Sequence, residues 1–232
     1  MPSDNFLQQK QDILSKQDKS SKQSLDKKIR DLCNKINKLE NYYTTSSCSG
    51  RIILIIESNK KEHGLFVKIY HDLLNFEGFK RDLKKICDNT SKPQKLDAPF
   101  CSHINKQLTK NPEINNDLAE KSDKVDFGAT KSRAKQGELI SFKQEPCGIH
   151  VACQTLKDSQ NFLDKAKFAG WKKSGIIASN KRFVVECFST EKLEFPIIKK
   201  NKILVDDDFL KIIVEKSNEN LKRSWGKIEK LR

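Results

Sequence analysis

The sequence has only nine glycines in 232 residues, and they are dispersed. No G-x-G-x-x-G and no G-x-x-x-x-G-K-[ST] can be read, so a Rossmann-type dinucleotide or adenosylmethionine loop is not recognisable. G-x-S-x-G, H-E-x-x-H and EF-hand loops are absent as well. Long hydrophobic runs are missing. The longest, Ile52–Ile56, falls far short of the ~20 residues of a membrane span. The start, Met1-Pro2-Ser3-Asp4, lacks the basic and apolar regions of a secretory signal. The seven cysteines are an odd number and form no C-x-x-C. A disulfide framework or zinc ribbon is therefore not expected, no metal site is predicted, and reduced thiols place the chain in the cytoplasm.

Charge is abundant. Lysine and arginine exceed aspartate and glutamate by 14, hydrophobic residues are 36% and charged residues 33%. Such a balance points to an anionic partner, nucleic acid by default, with a lysine-rich composition bias as the other reading, and to a solvated segment alongside a packed core. Net charge is +5 over residues 1–71, +2 over 72–138 and +7 over 139–232. The surplus therefore sits in the parts with folding patterns, not in the middle.

Residues 1–23 read as a polar N-terminal segment. A helix follows, with Ser24 as N-cap and Leu25, Ile29, Leu32, Cys33, Ile36 and Leu39 on one face. Tyr42–Thr45 is strand-like, and Ser46–Gly50 reads as a turn of small residues. Arg51–Glu57 reads as a strand buried on both faces, and Leu65–Tyr70 as its partner. Residues 75–138 read as a low-complexity insertion with little core, a short helix at Arg81–Cys87 aside. Past it come strands at Leu139–Phe142, Ile149–Cys153, Gly175–Ala178, Arg182–Phe188, Glu194–Ile197 and Ile203–Val205. A helix spans Asp158–Ala169, with Gly170 suited to its left-handed cap. A long helix begins at Asp206-Asp207-Asp208, with Phe209, Ile213, Leu221, Trp225 and Ile228 on its buried side. The whole reads as α+β, a mixed sheet with flanking helices and a long C-terminal helix. Residues 24–74 and 139–232 form one domain in two blocks.

The polar run Thr44–Arg51 is the main candidate for chemistry. Hydroxyls and free amides in a turn cradle anions, and Arg51 adds a fork for phosphate or carboxylate. The same hydroxyls also suit a turn that caps its own backbone, and spacing does not decide between the two. His71 and His150 come from separate blocks and titrate near neutrality, so either suits a general base; either also suits a structural hydrogen-bonder. Cys48 is a weaker nucleophile candidate beside Arg51. Cys33, Cys153 and Cys187 read as small core residues.

The stretch Tyr43-Thr44-Thr45-Ser46-Ser47-Cys48-Ser49-Gly50-Arg51-Ile52 closely resembles the signature of the tRNA wybutosine-synthesizing methyltransferase family. Ser141-Phe142, Pro146, Ile149-His150-Val151, Asp158-Ser159-Gln160, Ala166, Gly170, Ser174-Gly175-Ile176 and Glu194-Phe195-Pro196 extend the resemblance. It covers residues 24–72 and 139–232. Tyr70-His71 stands where the family often has Trp-His, and residues 75–138 replace a shorter link. The resemblance implies a non-Rossmann enzyme using S-adenosylmethionine. Its substrate would be a ring nitrogen of a 4-demethylwyosine-type base beside the anticodon of tRNA-Phe. It also implies roles. His71, then His150, would be the base. Ser46, Ser47, Ser49, Gly50, Arg51 and Ser174 would hold the cofactor or a tRNA phosphate. Tyr42, Tyr43 or Tyr70 would stack on the tricycle. Lys172, Lys173, Lys181 and Arg182 would meet the backbone of the anticodon stem-loop, bound by a monomer. A non-catalytic RNA-binding module on the same basic surface is the alternative.

Overall fold

The computed structural model describes residues 4–15, 25–56, 65–88, 139–179 and 182–232. Ser24, Lys181 and the stretch 89–138 of the expected insertion lie outside them. Among the described residues the chain runs α1 (Asp4–Leu14), α2 (Lys27–Lys38), β1 (Tyr42–Cys48), β2 (Arg51–Ile56), β3 (Leu65–Tyr70) and α3 (Phe76–Cys87). It continues through β4 (Leu139–Glu145), β5 (Gly148–Cys153), α4 (Leu156–Phe168), β6 (Lys173–Ser179), β7 (Arg182–Phe188), β8 (Leu193–Lys199), β9 (Lys202–Ile203) and α5 (Asp207–Leu231).

The class is α+β, as expected, but the strands divide between two sheets. One has the order β1-β5-β7-β6 and the other β3-β2-β4-β8-β9. Every pairing in both is antiparallel. β1 and β2, neighbours in sequence, therefore belong to different sheets. The expected turn over Ser46–Gly50 shrinks to Ser49-Gly50, because Ser46 and Ser47 pair with His150 and Ile149 of β5. A neighbouring strand that satisfies the backbone overrides the turn preference of serine.

The chain crosses from sheet to sheet three times, at Ser49-Gly50, at Pro146-Cys147 and between β7 and β8. The crossings are tied together. Ser189 donates its backbone N–H to the Cys147 carbonyl at 3.0 Å, and its hydroxyl lies 3.3 Å from that of Ser224 on α5. Gly50 has φ +91°, and a Cβ there would meet Glu145 O at 3.3 Å and Cys147 N at 3.4 Å. Only glycine combines that left-handed conformation with so close a backbone approach.

Two cores flank this waist. α2, α4 and the end of α5 pack Ile29, Leu32, Phe162, Trp171 and Ile228 onto Ile149, Val151 and Val185 of the first sheet. α3 and the first half of α5 pack Phe79, Leu83, Leu210 and Ile213 onto Ile52, Leu54 and Phe142 of the second. α3 thus carries core well past residue 74, where the insertion was expected to begin. α1 covers the opposite face of the first sheet, where Phe6 packs on Tyr43 and Ala152. The C-terminal helix is as long as foreseen and buries Ile213, Leu221 and Ile228 as expected. Its start differs: Leu210 is buried and Phe209 is 45% exposed, with Asp206 capping the helix by accepting from the Phe209 N–H at 2.8 Å. α2 starts at Lys27, and Leu39 ends up exposed past its last turn.

Candidate active site

One face of the first sheet carries a row of polar groups. Ser46 of β1, His150 of β5 and Glu186 of β7 stand directly opposite one another across three neighbouring strands. Ser46 Oγ lies 2.7 Å from His150 Nδ1, and His150 Nε2 lies 2.9 Å from Glu186 Oε1. An ionised carboxylate only accepts, so Nε2 carries the proton toward Glu186, and Nδ1 accepts from the serine hydroxyl. His150 is 2% exposed, with Phe188 edge-on at 5.7 Å, while Ser46 is half-buried. The row shares its face with Tyr43 and Ala152, on which Phe6 of α1 packs.

Two residues along β1, on the same face, Cys48 points to a second cluster at the crossing. Arg51 Nε donates to Glu145 Oε2 at 2.6 Å, and its guanidinium lies 5.5 Å from the Phe66 ring centre. Ser49 donates its N–H and its hydroxyl to Asp26 Oδ2, at 3.3 and 3.1 Å. Asp26 Oδ1 is 3.5 Å from His71 Nδ1. Burial pulls against the charge on Arg51, but Glu145, Cys48 and Asp26 outweigh it and move its pKa up. Burial pushes the Cys48 thiol up to about 12, with Arg51 pulling the other way. Cys48 is therefore a thiol at neutral pH, not a thiolate nucleophile. Arg51 Nη2 and Ser47 Oγ are buried without a hydrogen-bond partner among the described residues. Orphaned donors of this kind cost about 1–3 kcal/mol each and suit an incoming acceptor.

Compared with known proteins, the chain matches the family described as methyltransferase TYW3 over residues 8–232. It belongs to that family. A Methanocaldococcus jannaschii protein named tRNA(Phe) 7-((3-amino-3-carboxypropyl)-4-demethylwyosine(37)-N(4))-methyltransferase is 27% identical over 94% of this chain and 91% of its own length. A Danio rerio protein named tRNA wybutosine-synthesizing protein 3 homolog is 30% identical, covering 96% of this chain and 73% of that one. A solved Pyrococcus horikoshii structure superposes with a TM-score of 0.69 at 24% identity, over 98% of this chain and 92% of that one. At that identity the structural likeness establishes the fold alone.

In this TYW3-family chain, Ser46, Ser47, Ser49, Gly50, Arg51, His71 and His150 gather at or beside the waist. The other nominated residues do not. Tyr43 is fully buried beneath α1, its ring 5.2 Å from Phe6. Tyr70 donates its hydroxyl to Asp82 at 2.8 Å and packs edge-on to Phe79. Tyr42 packs against Phe162 and donates to the Asp158 carbonyl at 3.2 Å. Each ring fills a gap between a strand and its covering helix, Tyr43 wholly and Tyr42 and Tyr70 in part. Ser174 donates to the Trp171 carbonyl at 2.6 Å, in the connection from α4 to β6. Lys172 and Lys173 are exposed at one end of β6. Arg182 pairs with Ser179 at the other end, about 20 Å away along the strand.

Three acids went unforeseen. Glu186 interrupts the apolar run Phe183–Phe188 on the face it shares with Phe188, and a lone acid inside a hydrophobic strand is itself a signal of a partner. Asp26 looks like an ordinary helix-start acid, yet its side chain makes no cap bond. Glu145 gave no local sign, since only the pairing of β2 with β4 sets it opposite Arg51.

Proposed function

We propose that this chain is an S-adenosylmethionine-dependent methyltransferase of wybutosine biosynthesis. It methylates a ring nitrogen of a 4-demethylwyosine-type base beside the anticodon of tRNA-Phe, acting as a cytoplasmic monomer. The names of its relatives support the reaction. The single observation that carries the site is an under-satisfied buried guanidinium beside Cys48 at the end of β1, the strand that also carries Ser46 of the Ser–His–Glu chain.

Adenosylmethionine, when bound, supplies an electrophilic methyl on a sulfonium. The residues present fit its amino-acid end. Arg51 Nη2 and Ser47 Oγ offer unused donors to a carboxylate. Asp26, held by Ser49 and His71, offers the opposite charge to an ammonium. Ser46 Oγ would accept the proton that the ring nitrogen loses on methylation. The hydroxyl's own proton passes to His150 Nδ1, and Glu186 stabilises the resulting imidazolium. No deprotonated cysteine and no metal is called on.

The test is methyl transfer from labelled adenosylmethionine to tRNA-Phe carrying the demethylwyosine-type base, with and without Arg51→Ala. Transfer by the wild type, lost in the variant, is the expected result. A wild type that binds tRNA yet neither binds adenosylmethionine nor transfers methyl would leave only an RNA-binding module. A wild-type rate in Arg51→Ala would sink the site assignment.

A further inference from the structure

All three tyrosines are occupied within the fold, but one aromatic ring stands outside it. Phe168, the last residue of α4, is 96% exposed, while the next most exposed large hydrophobic among the described residues is Ile212 at 60%. Its setting is rigid. Ala166 and Ala169 on either side are buried. Gly170 turns the chain with φ +96°, and the fully buried Trp171 donates its indole N–H to the Lys227 carbonyl at 3.2 Å. Lys227 is clamped in turn by both oxygens of Glu191 at 2.6 Å. The ring is thus held out into solvent by a fully buried foundation, not by a frayed end.

Lysines predominate around it. Lys165, Lys167, Lys172 and Lys173 are exposed, and none takes part in an ion pair among the described residues. Of the nearby acids, Asp164 accepts from Gln160 at 2.8 Å and Glu191 is taken up by Lys227. The next exposed apolar side chain on α4 is Leu156, about 18 Å back along the helix, so no stripe suited to a protein helix exists here. A flat ring among unpaired lysines matches a strand that is anionic along its backbone and offers π-faces. Lys173 also shares a rung with Phe188, Gly148 and Cys48. The corner is therefore about 14 Å, three strand spacings, from the rim of the candidate site.

We propose that Phe168 stacks on an unpaired base of the substrate RNA other than the one modified, while Lys167, Lys172 and Lys173 hold the adjoining phosphates. The inference rests on the tRNA-methyltransferase reading. The test is fluorescence anisotropy of a labelled, unmodified anticodon stem-loop RNA, without cofactor, against wild type, Phe168→Ala, Phe168→Trp and Lys167→Ala/Lys172→Ala. Phe168→Ala should bind roughly 5- to 150-fold more weakly with an unchanged salt slope, since one stacked base is lost and no phosphate contact is. Phe168→Trp should bind at least as tightly as wild type. The double lysine variant should lower the salt slope by about two. Phe168→Ala binding within twofold of a binding wild type overturns the stacking platform and leaves the enzymatic reading intact. A wild type that does not bind the RNA overturns both. A wild-type dimer that dissociates in Phe168→Ala at unchanged RNA affinity would assign the ring to a second copy of the chain and also overturn the proposal.

Discussion

His150 and Glu186 face each other from adjacent strands, with Nε2 and Oε1 2.9 Å apart, and this contact determines which nitrogen of the imidazole is left to accept from Ser46. Glu186→Gln keeps an acceptor at that place, so the tautomer and the Ser46 bond survive. The charge that stabilises the imidazolium does not. We expect kcat to fall about 100-fold with KM for tRNA within about threefold, as for the loss of general acid–base assistance. Ring 15N shifts in the variant should still show Nε2 protonated. An equal fall in RNA affinity, or an unchanged kcat, would remove Glu186 from the relay.

Arg51 has one nitrogen on Glu145 and another with no partner among the described residues, so the fork itself can be tested apart from the charge. Arg51→Lys keeps the charge but loses the fork. Calorimetric titration of adenosylmethionine should show at least a tenfold weaker complex, while binding of the anticodon stem-loop stays within about twofold. If RNA affinity fell and cofactor affinity did not, the Arg51 side chain would be a phosphate contact instead.

Cys48 lies in the same cluster, and burial takes its thiol from an ordinary 9.0 to about 12. The folded state therefore holds the proton more tightly than the unfolded chain. The resulting stability is complete below pH 9 and is lost as pH rises from 9 toward 12. Cys48 should resist iodoacetamide at pH 8 in the folded protein and label readily in denaturant, by peptide mass analysis. Cys48→Ser should keep methyl transfer within about threefold. Rapid labelling at pH 8, or loss of transfer, would return Cys48 to the list of reactive groups.

The helices and most strands were legible because their signals are local. The apolar spacing of Ile29, Leu32, Cys33 and Ile36, the glycine at 170 and the acids before Phe209 each act within a few residues. The partition into two sheets was not legible, since antiparallel pairing joins Ser46 to His150 and Arg51 to Glu145 across about a hundred residues. The same non-locality hid the tyrosines. A strand tyrosine looks alike whether its ring meets solvent or a helix, and only α1, α3 and α4 decide that. Of the site, the signature stretch and both histidines could be named in advance, while their carboxylate partners could not.

Gly50 is the position on which this arrangement depends most directly. Its left-handed backbone turns β1 out of one sheet and β2 into the other, within 3.3–3.4 Å of where a Cβ would meet Glu145 and Cys147. Alanine there bears the left-handed penalty of about 1–2 kcal/mol and must also push apart two backbone segments, which cannot rotate away as a side chain would. Gly50→Ala should lose about 2–4 kcal/mol of stability by urea denaturation. Because the shift falls between Ser49 and Arg51, adenosylmethionine binding should weaken even at temperatures where the variant stays folded. Gly78→Ala is the control. Its Cβ would come no nearer than 3.7 Å to Asn75, and a half-buried helical glycine with that room gains about 0.5–1 kcal/mol on becoming alanine. Equal effects at the two positions would mean that the crossing at Gly50 tolerates a side chain and that the waist is looser than its distances imply.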